Sequence, residues 1–528
     1  MHTRLRVTSF ATTAALVTAA TALLLSACSK DAGGPWFGLD LPEQRAVRPE
    51  GFELDWGPLT LRLPEAEDPY RDLEAEEMLA VIDDVVAIAE QSRADGVGLW
   101  GRIPGSRYAK MTAEYAAERF RTLGLEDVHI DTFEREPTWL LHSWELTLLA
   151  DPAYGEGTED IVLADAYPIG GSPSTPEEGL EAELVYVGLG TPADLLGRDL
   201  RGKVAVVHSI MQPSPNSHTA ENLPPELIKA GAVGCLVVMD LMEPLQFMPV
   251  GVSGPGVLGF TLNGIEGSFI EDVIAGAGEG RRPRVRMKVQ SSREKGWIAR
   301  NALGLIPGEL DEYVIVIAHT DSFFQGAIDN AAGIANMLAL ARHYARPGAA
   351  KPRRNMLFVA TSGHHVGSVG VRDLITRYPE IMGKTVYAIN CEHLAALHAY
   401  QLHRGKMVFT ANVEDPLLVA VSNRSPLLLE LLGEAVDRYG LVVNLQTSHY
   451  PGGDPYPFWT AGVPVVNLIA LPLYYHTTRD LPEVMSGPGL ERVARAVAWF
   501  MDQTMARSRA DLERGSVKTP WSDKRGPG

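Results

Sequence analysis

Cysteine is almost missing from this chain: 528 residues hold three, at Cys28, Cys235 and Cys391. That leaves room for one disulfide at most besides Cys28, so the fold must be held by a buried core. Cys235 and Cys391 each sit inside an apolar, strand-like run in what read as different domains, so both are expected to be buried free thiols. Basic surface is lacking as well. Asp and Glu outnumber Lys and Arg by 66 to 47, a formal net charge of −19, and no segment forms a basic stripe. That excludes the electrostatic footprint of a nucleic-acid binder. Beyond the N-terminal region no segment is long and apolar enough to span a bilayer. No internal repeat or low-complexity tract stands out. What is present, 45% hydrophobic and 21% charged residues, is ordinary globular composition with room for two or three domains.

The N-terminus is more specific. Arg4 and Arg6 precede an apolar, Ala/Leu-rich run from about Ala14 to Leu25 that ends in small residues. This is the pattern of a secretory signal, too short for a transmembrane helix. The ending Leu25-Ser-Ala-Cys28 resembles the bacterial lipobox, which implies that Cys28 is diacylated and tethers an exported protein to a membrane. Ser29 is similar to the residue found in lipoproteins sorted onward to an outer membrane, in a bacterium that has one. The alternative is an ordinary cleaved signal with an incidental cysteine.

Further along, Glu74 to Gln91 and Met111 to Leu123 show helical spacing, the second closed by Gly124 at a C-cap position. Val128 to Phe133 and Trp139 to Leu149 read as strands. Near residue 155 the chain turns β-rich, with Ala182-Glu-Leu-Val-Tyr-Val-Gly188, Gly202-Lys-Val-Ala-Val-Val207 and Gly234-Cys-Leu-Val-Val238 around a short helix from Pro224. After about Lys295, strands and helices alternate: strand Tyr313 to Ala318, helix Ala331 to Tyr344, strand Asn355 to Thr361, helix Val369 to Arg377, strands Thr385 to Cys391 and Val463 to Leu468, helix Leu490 to Met505. Continuous apolar strands separated by helices imply an α/β fold with a mostly parallel sheet covered on both faces. Ligand sites in such sheets lie beyond the carboxyl ends of the strands.

The chemistry-bearing residues fall there. His319 follows the strand ending at Ala318, His364 and His365 follow the one ending near Thr361, and Glu392 follows the one ending at Cys391. His476 lies in the loop Leu471 to Asp480 beyond the last strand, and Asp329 opens an apolar helix. Imidazole and carboxylate are suitable zinc ligands, and a carboxylate can bridge two metals. Asp321, two residues after His319, has the spacing of a partner that fixes the His319 tautomer.

Taken together, Ala318-His-Thr-Asp-Ser322, Gly326-Ala-Ile-Asp-Asn-Ala-Ala-Gly333, Tyr475-His-Thr-Thr-Arg-Asp480 and Gly453-Asp-Pro-Tyr-Pro-Phe458 resemble the co-catalytic zinc exopeptidases that include bacterial leucyl aminopeptidases and the glutamate carboxypeptidase and transferrin receptor group. The resemblance runs from about Trp100 to Met505. Within it, the β-rich stretch is similar to the protease-associated domain. It implies zinc ligation by His319, Asp329, His365, Glu392 and His476, with Asp321 in support. It implies two zinc ions, although a single-zinc site is also open. The division it implies is a signal at 1–27, a tether at 28–72, the N-terminal part of a zinc peptidase domain at 73–154, a protease-associated domain at 155–292, the main peptidase part at 293–508 and a tail at 509–528. Arg102 and the insert are candidates for closing over a peptide substrate.

One departure is central. The family pattern Glu-Glu-x-Gly-x-x-Gly becomes His364-His365-Val-Gly-Ser-Val-Gly370, glycines kept and both carboxylates gone. An imidazole at His365 can still bind zinc. His364, in the place of the general base, would become a cation on accepting a proton. The expectation is a lipid-anchored, exported zinc exopeptidase, aminopeptidase-like, that hydrolyses peptides by metal-activated water. The alternatives are a peptide- or partner-binding protein without turnover, because the Glu-Glu is replaced, and, on a weaker resemblance, another hydrolytic or cyclising reaction.

Overall fold

A computed structural model of the chain describes residues 68–517, apart from 152–157, 210–222, 240, 250–255, 279–280, 404–405 and 447–451. The signal, Cys28 and nearly all of the tether lie outside the described residues. Among the described residues no helix is long and apolar enough to cross a membrane.

The core of the larger unit is an eight-stranded sheet. Its order is Glu126–Glu134, Ile298–Ile306, Arg354–Thr361, Leu310–His319, Thr385–Glu392, Val465–Ile469, Leu417–Val421 and Val443–Gln446. Four central neighbours, from Arg354–Thr361 to Val465–Ile469, run parallel. The strands flanking them, Ile298–Ile306 and Leu417–Val421, are antiparallel. Because the central four point one way, Thr361, His319 and Glu392 end at a single edge.

Alternation along the strands explains the layers. Val314, Val316, Met356 and Phe358 are buried against helices on one face, whereas Ile315, Ile317, Leu357 and Val359 are buried on the other. The first face is covered by helices Ala75–Ala94, Ala332–Ala345 and Gly487–Met505, which pack on one another. The second is covered in part by Val369–Arg377 and Pro455–Thr460, through Val371, Leu374 and Phe458. Both faces being buried is why these strands read as unbroken apolar runs. Cys235 and Cys391 are free and buried.

A second eight-stranded sheet runs Ile161–Val162, Thr138–Leu148, Arg284–Glu294, Leu180–Tyr186, Val204–Ser209, Gly234–Met239, Gly259–Leu262 and Tyr167–Pro168. It starts earlier than the change of composition near residue 155. Strand Thr138–Leu148 pairs with Arg284–Glu294 from Thr138↔Glu294 to Leu148↔Val285, so it belongs to the second sheet. Strands Leu397–His403 and Lys406–Glu414, and helix Pro426–Tyr439, were not expected from the pattern.

Arg102 is corrected outright. It is fully buried and lies under the loop that carries Asp329. Its guanidinium donates to the carbonyls of Thr320 at 2.9 Å, Gln325 at 2.6 Å, Gly326 at 2.9 Å and Asp329 at 3.4 Å. One rigid cation thus ties down a loop whose carbonyls have turned away from any strand ladder. It is a loop clamp, out of reach of a substrate at the surface. Arg102→Met should strand those acceptors and destabilise the fold by about 3–5 kcal/mol, read as a fall in the chemical-denaturation midpoint.

Candidate metal centre

Asp329 stands at the middle of the site, fully buried, at the start of the segment leading into helix Ala332–Ala345. Its position is fixed by its backbone. Asp480 accepts hydrogen bonds from the amides of Ile328 at 2.5 Å and Asp329 at 3.1 Å, while Arg102 holds the carbonyl side. The Asp329–Asn330 peptide is cis.

Four imidazoles surround its carboxylate. Nε2 of His365 and His476 lie 3.0 and 3.1 Å from Oδ2. Nε2 of His393 and His319 lie 3.1 and 3.3 Å from Oδ1. Glu392 adds a second carboxylate, its Oε1 3.8 Å from His393 Nε2, its Oε2 held by the Asn390 amide at 2.7 Å. Two groups could each hold an ion: Asp329, His365 and His476, and His319, Glu392 and His393. His319, Asp321 and His365 also approach one another, but Asp321 is spoken for by the hydrogen bonds below.

The tautomers bear on the fit. Nδ1 of His319, His393 and His476 each face a main-chain carbonyl, of Asp321 (3.1 Å), Ala470 (3.0 Å) and Met248 (3.1 Å). A carbonyl only accepts, so each Nδ1 carries a proton; His319 and His476, whose pKa values are lowered, are then neutral rings that aim an Nε2 lone pair at the Asp329 carboxylate. Nε2 of His319 and of His476 are buried with no hydrogen-bond partner. Lone pairs facing a carboxylate at this distance repel unless a cation lies between them, so the residues fit zinc.

All five residues expected as ligands, His319, Asp329, His365, Glu392 and His476, are brought together, and the structure adds His393. That residue follows Glu392 directly, and a strand's alternation would send it away from the site. Its left-handed backbone (φ 51°) turns it back, and nothing in the local sequence announces that turn. Asp321 is placed differently from its spacing. Its carboxylate is 3.9 Å from His319 Nδ1. It instead accepts from the amides of Gly363 at 2.7 Å, His364 at 3.1 Å and His365 at 3.2 Å, and from His365 Nδ1 at 2.8 Å. It therefore orients the histidine pair.

His364 stands beside the centre. Its ring stacks on His319, centroids 4.1 Å apart at 11°. Its Nε2 lies 3.4 Å from Glu392 Oε1 and its Nδ1 3.3 Å from Asp454 Oδ1. Asp454 was missed in the sequence, although Gly453-Asp-Pro had been noticed; it is buried, and Gly453 is required because a Cβ there would come within 2.9 Å of His364.

Charge follows this geometry. Burial draws the imidazoles down in every case. It wins for His319, lowered to about 4, and for His476, lowered to about 3. For His365 the carboxylates of Asp329 and Asp321 overcome it and raise the ring to about 9. His393 is raised by Asp329, and His364 well above its usual value by Glu392 and Asp454. Asp329 is held well below the carboxylate range, burial being outweighed by the histidines around it.

A buried His/Asp/Glu cluster at the carboxyl edge of parallel strands, in an α/β unit with a second sheet packed beside it, makes this protein a candidate metal-binding protein of the α/β class. Residues 301–501 match the model of Peptidase family M28. Over 107 residues it is 34% identical to human "Transferrin receptor protein 2", covering 20% of this chain and 13% of the receptor. The chain thus spans a small part of the curated relatives it matches. Among solved structures it is similar to a Peptidase M28 precursor from Shewanella amazonensis, 20% identical with a TM-score of 0.62, over 83% of this chain and 97% of that one. It is also similar to BSAP, a zinc aminopeptidase from Bacillus subtilis, 19% identical with a TM-score of 0.59, over 83% and 98%. These likenesses concern the fold.

Metal ligation requires neutral imidazole, whereas His365 and His393 hold protons below their raised pKa values. Zinc uptake at pH 7 should therefore release protons, the amount falling as pH rises through about 9, where His365 loses its own. Calorimetric titrations in buffers of differing ionisation enthalpy measure this; a buffer-independent heat would contradict it.

Proposed function

We propose that this chain is a zinc-dependent exopeptidase of the aminopeptidase type, exported and anchored to a membrane through a lipid on Cys28. The observation that carries the enzymatic part is the Asp329 carboxylate set between two pairs of imidazole Nε2 atoms, within the residues that match Peptidase family M28. Anchoring and export rest on the Leu25-Ser-Ala-Cys28 motif and the apolar run before it. The packed second sheet fits the protease-associated module expected from its motifs.

Asp329 would bridge two ions, with His365 and His476 on one and His319 and Glu392 on the other. Zinc there supplies Lewis-acid polarisation of a scissile carbonyl and activation of water. The remaining work falls to side chains. His364 is about 9% exposed at its side chain, while the ligand side chains are at 0–2%, so it stands nearest the solvent. With Asp454 behind Nδ1 and its pKa raised by Glu392 and Asp454, the ring would hold a proton that its Nε2 can donate to a leaving amine, the acid half of general acid–base catalysis. The carboxylate that the family motif supplies at this place is thus replaced by an imidazole–carboxylate couple. Phe323, whose ring lies 4.9 Å from those of both His365 and His476, gives the site an apolar wall.

The test is metal analysis of the chain lacking residues 1–28, with an assay on aminoacyl and peptide substrates. Zinc with turnover is expected, and a zinc content near zero would refute the reading. Zinc without turnover would leave a binding protein on this fold. In the active protein, His364→Ala should lower kcat by about 10²–10⁴-fold at unchanged zinc content. Asp454→Asn should lower it less, because it orients the imidazole without touching substrate. Equal kcat for His364→Ala and the parent would remove His364 from the mechanism.

A further inference from the structure

We propose that His393 is a metal ligand, so that the second ion is held by His319, Glu392, His393 and Asp329 Oδ1, giving a centre of four imidazoles and two carboxylates. This rests on the metal-centre reading and adds a donor that the sequence motifs do not mark.

The case is one of matched geometry. Each oxygen of Asp329 faces two imidazole nitrogens, His365 and His476 at 3.0 and 3.1 Å on Oδ2, His393 and His319 at 3.1 and 3.3 Å on Oδ1. On distance, His393 stands to Oδ1 as His365 stands to Oδ2. Its tautomer is settled in the same way as those of His319 and His476, by a main-chain carbonyl on Nδ1. That leaves Nε2 as the donor atom, buried and directed at the carboxylate pair of Asp329 and Glu392.

The backbone supports the assignment. His393 (φ 51°) and His476 (φ 59°) are both left-handed non-glycine residues. Such conformations cost on the order of 1–3 kcal/mol and persist where the surroundings fix them. Here Asn330 Oδ1 accepts from the His393 amide at 3.1 Å and thereby fixes the turn that brings the ring back over the centre. The stem of the next residue follows suit: Leu394 is fully buried in the main core, so the chain cannot relax outward.

The consequence is chemical. Neutral nitrogen donors stand where a more carboxylate-rich set would favour hard ions, so the centre should take zinc, cobalt or nickel in preference to magnesium or calcium. Four imidazoles also allow both positions to hold an ion although the motif has exchanged a carboxylate for His365.

The full-length chain, purified in detergent and stripped with a chelator, would be titrated with zinc and examined by zinc-edge X-ray absorption. The expected result is two ions per chain, with four imidazoles shared between them. His393→Asn and His393→Ala should keep one ion at the parent affinity and bind the other at least about ten-fold more weakly, with one imidazole fewer per pair. Unchanged affinity and imidazole number in both variants would overturn the assignment while leaving the metalloenzyme reading intact. If neither variant folds, the imidazole count of the parent decides: four per pair of ions supports His393, three overturns it. No uptake by the parent protein would refute both readings.

Discussion

Everything at the functional edge of this protein is organised around keeping one fully buried carboxylate, Asp329, among four imidazoles. A charge in such surroundings is costly unless matched, and the structure supplies matching from two directions. Side chains approach the carboxylate through Nε2, while the backbone that carries it is held between Arg102, on its carbonyl side, and Asp480, on its amide side. Asp480 itself is pushed up to about 7, by burial first and by Asp329 beside it, which weakens repulsion between the two acids. Arg102 keeps its charge although burial pulls it down to about 10. The loop from Thr320 to Asp329 is therefore as well fixed as a strand, without being one.

The second sheet takes part in this arrangement. Phe247 pairs with Thr477, the Met248 amide donates to the His476 carbonyl at 3.0 Å, and the Met248 carbonyl faces His476 Nδ1. Gln246 exchanges main-chain and hydroxyl hydrogen bonds with Thr478. The segment between Gly234–Met239 and Gly259–Leu262 thus sets the tautomer of one of the four imidazoles. The part of the chain whose motifs suggested only a cover over the substrate is thus also in contact with a residue of the candidate metal centre.

Much of this was legible from pattern alone. The parallel strands could be read because both faces are buried, and ligand candidates could be read because each sits just beyond a strand end. What escaped is instructive. Trp139 to Leu149 reads as a strand of the 73–154 part, because composition says strand but not which partner, and only the pairing of Thr138–Leu148 with Arg284–Glu294 supplies the partner. His393 escaped because alternation predicts the opposite direction for a residue after Glu392, and a left-handed turn defeats alternation. Asp454 escaped because its importance depends on His364, ninety residues away in the chain and 3.3 Å away in space. Arg102 reads as a residue that closes over substrate because arginines are seldom fully buried, while four main-chain carbonyls hold it inside.

The exchange of two carboxylates for His364 and His365 then has a physical logic. Asp321 bonds to the amides of both histidines and to the His365 ring, so the loop keeps its shape whichever side chains it carries. At His365 the change replaces one acceptable zinc donor by another. At His364 it puts an imidazole with Asp454 behind it where the family motif has a carboxylate. Burial alone would hold that ring neutral, and it is the neighbouring Glu392 and Asp454 that overcome the effect and raise its pKa. The centre is altered in its donors, yet each alteration has a nearby group that answers it.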